Sequence, residues 1–241
     1  MQNKPVALVT GANKGIGKEI ARQLGAQGLT VLVGVRDLRR GEEAAAELKT
    51  SGVNSHAVRL DVTDEASIAE AARRIEEEFG GLDVLVNNAA IAQDSVPPSQ
   101  LDMATLRRTF ETNVFGVVAV TQAMLPMLRK SSAGRIVNLS SGLASLAQNS
   151  DPDWAFDSVN LLAYNSSKTA LNAVTVQFAK ELRDTPIKVN AADPGYTATD
   201  MNGHSGTRTV EQGATAAVRL ATLPDDGPTG SFFDEDGVVP W

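Results

Sequence analysis

The sequence contains no cysteine and only two histidines in 241 residues. Without cysteine, thiol nucleophiles, disulfides and thiolate metal sites are excluded, and the composition is compatible with a reducing cytosol. His56 and His204 cannot supply a three-histidine zinc site and stand in no metal-ligand pattern. Metal-assisted hydrolysis is therefore disfavoured, no metal is expected, and both histidines read as ordinary surface or loop residues. A cationic excess is also missing. Lys and Arg number 22 against 29 Asp and Glu, a net charge of -7, the wrong sign for a phosphate backbone or an anionic membrane surface. Long apolar runs are absent as well. The longest, Val114 to Leu128, is interrupted by Gly116, Thr121, Gln122 and Pro126, short of the roughly eighteen continuous apolar residues a membrane span needs. At the N-terminus Val6-Ala7-Leu8-Val9 is too short for the apolar region of a signal peptide, so a cytoplasmic location is expected.

What is present is ordinary globular composition, 42% apolar and 21% charged. A chain of this length hides roughly 70–75% of its unfolded surface and needs no structural metal. Short β-branched runs alternate with stretches rich in Ala, Glu and Arg, the pattern of βα units laid into a parallel sheet. Seven strands are expected at Val6–Thr10, Thr30–Val35, Ser55–Leu60, Leu82–Asn87, Arg135–Ser140, Ile187–Ala192 and Ser231–Phe233. Helices are expected at Ile16–Gln27, Leu38–Thr50, Glu65–Phe79, Met103–Leu128 with a break, Leu161–Leu182 and Val210–Thr222. Asp64 is placed to cap the third helix, with Glu65 favourable to its dipole. No linker, repeat or low-complexity tract divides the chain, so residues 1–241 are expected to form one domain. Asp234-Glu235-Asp236 reads as a solvated turn.

Directly after the first strand comes Thr10-Gly11-Ala12-Asn13-Lys14-Gly15-Ile16-Gly17, and a helical pattern follows at once. Glycine lets backbone approach an anion, and the helix presents unpaired N–H groups to a pyrophosphate. Standing alone, Gly11 and Gly15 can equally make a tight turn. The second strand ends Val33-Gly34-Val35-Arg36, where an NAD binder places an acid against the ribose 2′-hydroxyl. A guanidinium there pairs with a 2′-phosphate, and Lys14 offers a second cation, which favours NADP(H) over NAD(H). The plain alternative for Arg36 is a solvated charge partly neutralised by Asp37, with Arg39 and Arg40 sharing its role or idle.

Tyr164 and Lys168 are four apart in an expected helix and so share one face. An ammonium beside a phenol stabilises the phenolate, and a shift of about three pKa units corresponds to ~4 kcal/mol. The pair alone is also a common exposed helix pair. Ser140 and Ser141 stand at the C-terminal end of the fifth strand, where ligands meet an open parallel sheet. A hydroxyl there can orient a carbonyl oxygen, or merely make a turn at the strand end. No His and acid accompany these serines, so acyl transfer is not supported.

Taken together, these residues resemble the short-chain dehydrogenase/reductase family over essentially the whole chain. The family motifs arrive in order as Thr10–Gly17, Asp61-Val62, Asn87-Asn88-Ala89-Ala90, Asn113, Ser141, Tyr164-x-x-x-Lys168 and Pro194-Gly195. The resemblance implies an α/β fold, a doubly wound Rossmann-type parallel sheet of seven strands in the order 3-2-1-4-5-6-7 with helices on both faces. It also implies hydride transfer between a nicotinamide and a carbonyl or alcohol. On that reading Tyr164 donates the proton, Lys168 lowers its pKa and binds the nicotinamide ribose, and Ser141 holds the substrate oxygen. Asn113 anchors a water that reloads the proton. Gly11, Asn13, Lys14, Gly15, Ile16 and Gly17 hold the dinucleotide phosphates, with Arg36 at the 2′-phosphate. Asp61 and Val62 face adenine and Asn87 and Ala89 line the ribose. The stretch from Pro194 through Gly195 and Thr197 to Thr199 covers the nicotinamide and its phosphate.

Two departures stand out. Ala90 replaces the usual glycine, and the interval from Ser141 to Tyr164 is long, so an insertion is expected around 143–162, with a lid around 196–209. The insertion, Asn13-Lys14 and the closing Gly230…Trp241 are similar to the NADPH-dependent carbonyl and menthone reductase branch, where an inserted segment leaves several members monomeric. A monomer is therefore expected ahead of a homo-oligomer, acting on a small-molecule carbonyl or alcohol, with no nucleic-acid or membrane partner. The expected activity is reduction of a ketone or aldehyde in a pocket bounded by Gln93–Ser99, Trp154, Phe156 and Tyr196–Thr209. Trp154 and Phe156 can equally be packing for the inserted loop. The alternatives are a dinucleotide-binding sensor or scaffold without chemistry, and an NAD-dependent alcohol dehydrogenase running oxidatively.

Overall fold

The computed structural model describes residues 4–94 and 96–241. The strands are β1 (Val6–Thr10), β2 (Thr30–Val35), β3 (Ser55–Arg59), β4 (Val84–Asn87), β5 (Arg135–Leu139), β6 (Lys188–Ala192) and β7 (Phe232–Phe233). They form one sheet in the order β3-β2-β1-β4-β5-β6-β7 with every ladder parallel. β1 pairs with β2 on one side and β4 on the other, so the strand order reverses between β1 and β4. Ligands enter a doubly wound sheet at such a point, outside the carboxyl ends of the strands.

The helices are α1 (Gly15–Ala26), α2 (Leu38–Thr50), α3 (Glu65–Phe79), α4 (Met103–Phe110), α5 (Gly116–Leu128), α6 (Leu146–Asn149), α7 (Leu162–Glu181) and α8 (Val210–Ala221). Period-two alternation along the strands sorts their side chains between two helix layers. Ala7, Val9, Val31 and Val33 pack on Ile20 and Leu24 of α1, Leu48 of α2 and Val218 of α8. Leu8, Leu32, Leu85 and Ile136 point the other way, onto Ile68 and Ile75 of α3 and Val120 and Met124 of α5. Both faces are covered, which is why the inner strands read as unbroken apolar runs.

Most boundaries fall within a residue or two of expectation, because strand ends are where ladder hydrogen bonds stop rather than where apolar residues stop. The expected break within Met103–Leu128 is a π turn at Glu111–Phe115 between α4 and α5. Pro126 lies inside α5. Asp64 caps α3 as expected, accepting from Ala66 and Ser67 N–H. Among the described residues no helix is long and apolar enough to cross a membrane.

Candidate active site

The carboxyl ends of β1, β2, β4, β5 and β6 open onto a cavity of about 1140 Å³. Its floor at one end is the glycine loop. Gly11 and Gly15 adopt left-handed φ of +66° and +55°. A Cβ on Gly17 would sit 2.4 Å from Asn88 Nδ2 and 2.8 Å from the Gly11 carbonyl. Only glycine lets α1 begin this close to the end of β4. No side chain caps α1 and no acid occupies its first turn, so its N–H groups and positive dipole end are left for an external anion.

Asn88 holds this end together. Its Nδ2 donates to the carbonyls of Thr10 and Gly11, at 2.7 and 3.3 Å, while Thr10 Oγ1 accepts from the N–H groups of Asn88 and Ala89. Asn87, expected at the ribose, points elsewhere. Its amide is buried and donates to Thr121 and Asn138 inside the protein, and Asn88 takes its place in the cavity wall. Successive residues of a strand face opposite sides, so only one of the two asparagines can reach the cavity.

Asn13, Lys14, Gly15, Ile16, Arg36, Asp61, Val62 and Ala89 all line the cavity. Among the described residues Arg36 has no acidic partner, because Asp37 caps α2 and pairs with Arg40 at 3.5 Å, and Arg39 pairs with Glu43. Lys14 instead meets Asp200 at 2.5 Å. Asp61 accepts from the N–H and hydroxyl of Thr63.

At the other end, Tyr164 and Lys168 project from the first turns of α7 beneath β5. The Lys168 ammonium is buried, donates to the Leu139 carbonyl at 2.7 Å and lies 5.8 Å from the centre of the Tyr164 ring. Burial brings Lys168 down from 10.5 to about 8. Burial likewise pushes the Tyr164 phenol up to about 12; a hydrogen bond with Ser141 pulls it down and the carboxylate of Asp193 adds to the rise. The acidified phenol expected from Lys168 is therefore not a property of the chain by itself, since desolvation outweighs an ammonium aimed at a carbonyl rather than at the phenolic oxygen. Of the two serines, Ser141 is the one beside the phenol. Ser140 is buried and donates to Asn172 at 2.6 Å.

Asn113 sits in the π turn. Its Oδ1 accepts from Ile91 N–H, and its Nδ2 donates to the Ile91 carbonyl and to Ser167 Oγ, all at 2.9–3.0 Å. Both amide donors of Asn113 are thus committed inside the protein, as is one acceptor position of Oδ1.

The segment after β6 closes the cavity over Pro194, Ala198, Thr199, Met201 and His204. Gly195 makes the turn with φ +66°, its N–H bonded to Asp193. Thr197, expected at the cofactor, is buried and donates to the Pro194 carbonyl at 2.9 Å. His204 is more than a bystander, since it contacts Asp200 at 2.8 Å and lines the cavity. Trp154 and Phe156 do not line it. They stack edge to face, and Phe156 packs the same way on Tyr196, tying the insertion to the lid. Of Gln93–Ser99, Gln93 lines the cavity and Asp94 turns to α7; Ser95 lies outside the described residues. Glu235 pairs with Arg208, so the acidic turn is only partly solvated. Asn88 belongs to the motif Asn87-Asn88-Ala89-Ala90 and Asp94 to the expected pocket segment Gln93–Ser99, but the roles of Asn88, Asp94 and Asp193 depend on segments that only the fold brings near.

The short chain dehydrogenase family model matches residues 5–209. Short-chain dehydrogenase/reductase 1 of Saponaria officinalis is 37% identical, covering 100% of this chain and 97% of that protein. Carbonyl reductase [NADPH] 1 of Rattus norvegicus is 35% identical over 99% of each. Among solved structures, NADPH-bound carbonyl reductase from chicken fatty liver superposes with a TM-score of 0.87 at 30% identity, covering 99% of this chain and 100% of that one. The chain belongs to the short-chain dehydrogenase/reductase family of oxidoreductases.

Proposed function

We propose that the protein is an NADPH-dependent reductase of ketones or aldehydes, with Tyr164 as the proton donor. The observation that carries this reading is the shared cavity, with an anion-ready glycine loop and an Arg36 that has no acidic partner among the described residues at one end, and Tyr164 with Lys168 at the other; Ser141 does not line that cavity but hydrogen-bonds the phenol. Relatives named as NADPH carbonyl reductases support the same substrate class.

The residues fit a dinucleotide. The glycine cradle has no room for a Cβ at Gly17, and α1 has no cap of its own. Asn13, Gly15 and Ile16 would hold the phosphates, Arg36 and Lys14 the 2′-phosphate, Asp61 and Val62 the adenine, and Lys168 and Ala89 the ribose. Pro194 and Thr199 would cover the nicotinamide. When bound, reduced nicotinamide supplies the hydride.

The chain's own residues handle the oxygen and the proton. Ser141 and Tyr164 would share the substrate carbonyl oxygen, and the phenol would donate its proton there as the carbon is reduced. A phenol near 12 is fully protonated at neutral pH, as a donor must be, but its phenolate needs a nearby cation. Lys168 is that cation, and at about 8 it releases a proton more readily than an exposed lysine, which suits it to reprotonate the phenolate. The Asn113 main chain, within the π turn, would hold the water from which the lysine is refilled.

A spectrophotometric screen of aldehydes, ketones and quinones with NADPH and NADH tests the activity. Tyr164→Phe should bind NADPH within about threefold of wild type and lose about 10²–10⁴-fold in turnover. Retained turnover in that variant removes the proton donor. Tight NADPH binding with no oxidation across the whole panel would favour a sensor instead.

A further inference from the structure

α7 carries both Tyr164 and Lys168, yet its own N-cap residue, Leu161, has no side chain able to cap it. The missing acceptor comes from 69 residues away. Asp94 Oδ2 accepts from Ala163 N–H at 2.6 Å, and Asp94 Oδ1 accepts from the N–H of Tyr164 itself at 3.1 Å. A carboxylate at this place satisfies two orphan donors and complements the positive end of the helix dipole.

The contact closes a ring. Ser167 Oγ donates to the Tyr164 carbonyl at 2.8 Å and accepts from Asn113 Nδ2. Asn113 in turn grips both the N–H and the carbonyl of Ile91, three residues before Asp94. The peptide groups of Tyr164 are thereby held on both sides. The strip Ile91-Ala92-Gln93, which lines the cavity, is fastened at its two ends to the residue expected to donate the proton.

We propose that Asp94 is a positioning residue for Tyr164, capping its helix from the loop after β4 and fixing the cavity strip relative to the phenol. This rests on Tyr164 being the proton donor. Placing the phenol is separate from binding the dinucleotide, because both side-chain hydrogen bonds of Asp94 among the described residues go to α7 and none goes to the glycine loop. Misplacement by a fraction of an ångström is costly to proton transfer and nearly silent at a phosphate site more than one element away.

The test compares Asp94→Ala and Asp94→Asn with wild type in kcat, NADPH affinity and amide hydrogen exchange. Asp94→Ala should lower kcat about tenfold or more, with NADPH Kd within about twofold. Exchange at Ala163, Tyr164 and their first-turn neighbours should accelerate while the centre of α7 around Leu171 stays protected. Asp94→Asn keeps one acceptor oxygen and should recover part of kcat. Wild-type kcat in Asp94→Ala overturns the proposal, as does a kcat loss matched by an equal loss of NADPH affinity, or faster exchange along all of α7, since either marks a general structural role. Failure of the underlying reading looks different, with Tyr164→Phe retaining turnover or wild type reducing no carbonyl. The first-turn exchange data then decide the capping contact alone, and unchanged exchange there refutes it.

Discussion

Lys14 and Asp200 meet at 2.5 Å, joining the glycine loop to the segment that closes the cavity after β6. His204 reaches the same carboxylate from one turn later. Lys14, with His204 second, holds the Asp200 carboxyl below the usual carboxylate range. The sign follows from that depression. The latch is present above the ordinary carboxylate range and is lost only as pH falls through the lowered value, so it persists at neutral pH. On the proposed function, an incoming 2′-phosphate would compete with Asp200 for Lys14. Asp200→Asn should free the lysine and remove a carboxylate facing the phosphates. Because the pair is exposed, the gain is small, with NADPH Kd falling about two- to fivefold in fluorescence titration. Weaker NADPH binding in this variant would mean that the latch organises the cofactor site rather than competing with it.

On the proposed function, Arg36 is the group that would set coenzyme choice. Its neighbours Arg39 and Arg40 are each spoken for by an acid, and Arg36 alone of the three lines the cavity. A guanidinium–phosphate contact is charge-assisted and bidentate, whereas a carboxylate at the same place accepts from a ribose 2′-hydroxyl. Arg36→Asp should lower the ratio of kcat/KM for NADPH over NADH by about tenfold to a hundredfold. Steady-state kinetics with both coenzymes measure it directly. An unchanged ratio would exclude Arg36 and leave Lys14 as the phosphate-reading residue.

How much of this was legible beforehand depended on the range of the interaction. Strands such as Val6–Thr10 and helices such as Glu65–Phe79 announced themselves because their signals are local: alternation, periodicity and a capping Asp64. The glycine loop was equally visible, since φ > 0 and close approach both demand glycine there. Asn88 rather than Asn87 faces the cavity, because motif spacing gives the position of the pair and only the sheet register says which member points there. The break within Met103–Leu128 is legible in the sequence, but nothing local marks it as a π turn at Asn113, and the Asp94 cap joins segments that no periodicity connects. Sequence leaves Trp154 and Phe156 equally as pocket walls or as packing for the inserted loop. Their partner, Tyr196, lies on another loop, and the edge-to-face stacking that turns them into a brace exists only once the two loops are folded together.

Lys168 gives the sharpest test of the site's electrostatics. Burial brings its pKa from 10.5 to about 8, so the folded chain disfavours the ammonium by roughly 3 kcal/mol. Between those two values the unfolded chain binds more protons than the folded one, and stability must rise with pH. Below pH 8 the full cost is present, and by pH 10.5 it is gone. Lys168→Met removes this dependence but orphans the Leu139 carbonyl, a penalty of about 1–3 kcal/mol that does not vary with pH. The Tyr164 phenol titrates in both proteins, so it largely cancels from their difference. Urea denaturation at pH 7, 8, 9 and 10 should therefore show wild type gaining on Lys168→Met by about 2–2.5 kcal/mol across the series, most of it above pH 8. A constant difference would mean that Lys168 keeps its ordinary affinity for the proton inside the fold. It would then lack the readiness to reprotonate Tyr164 that the proposed mechanism requires.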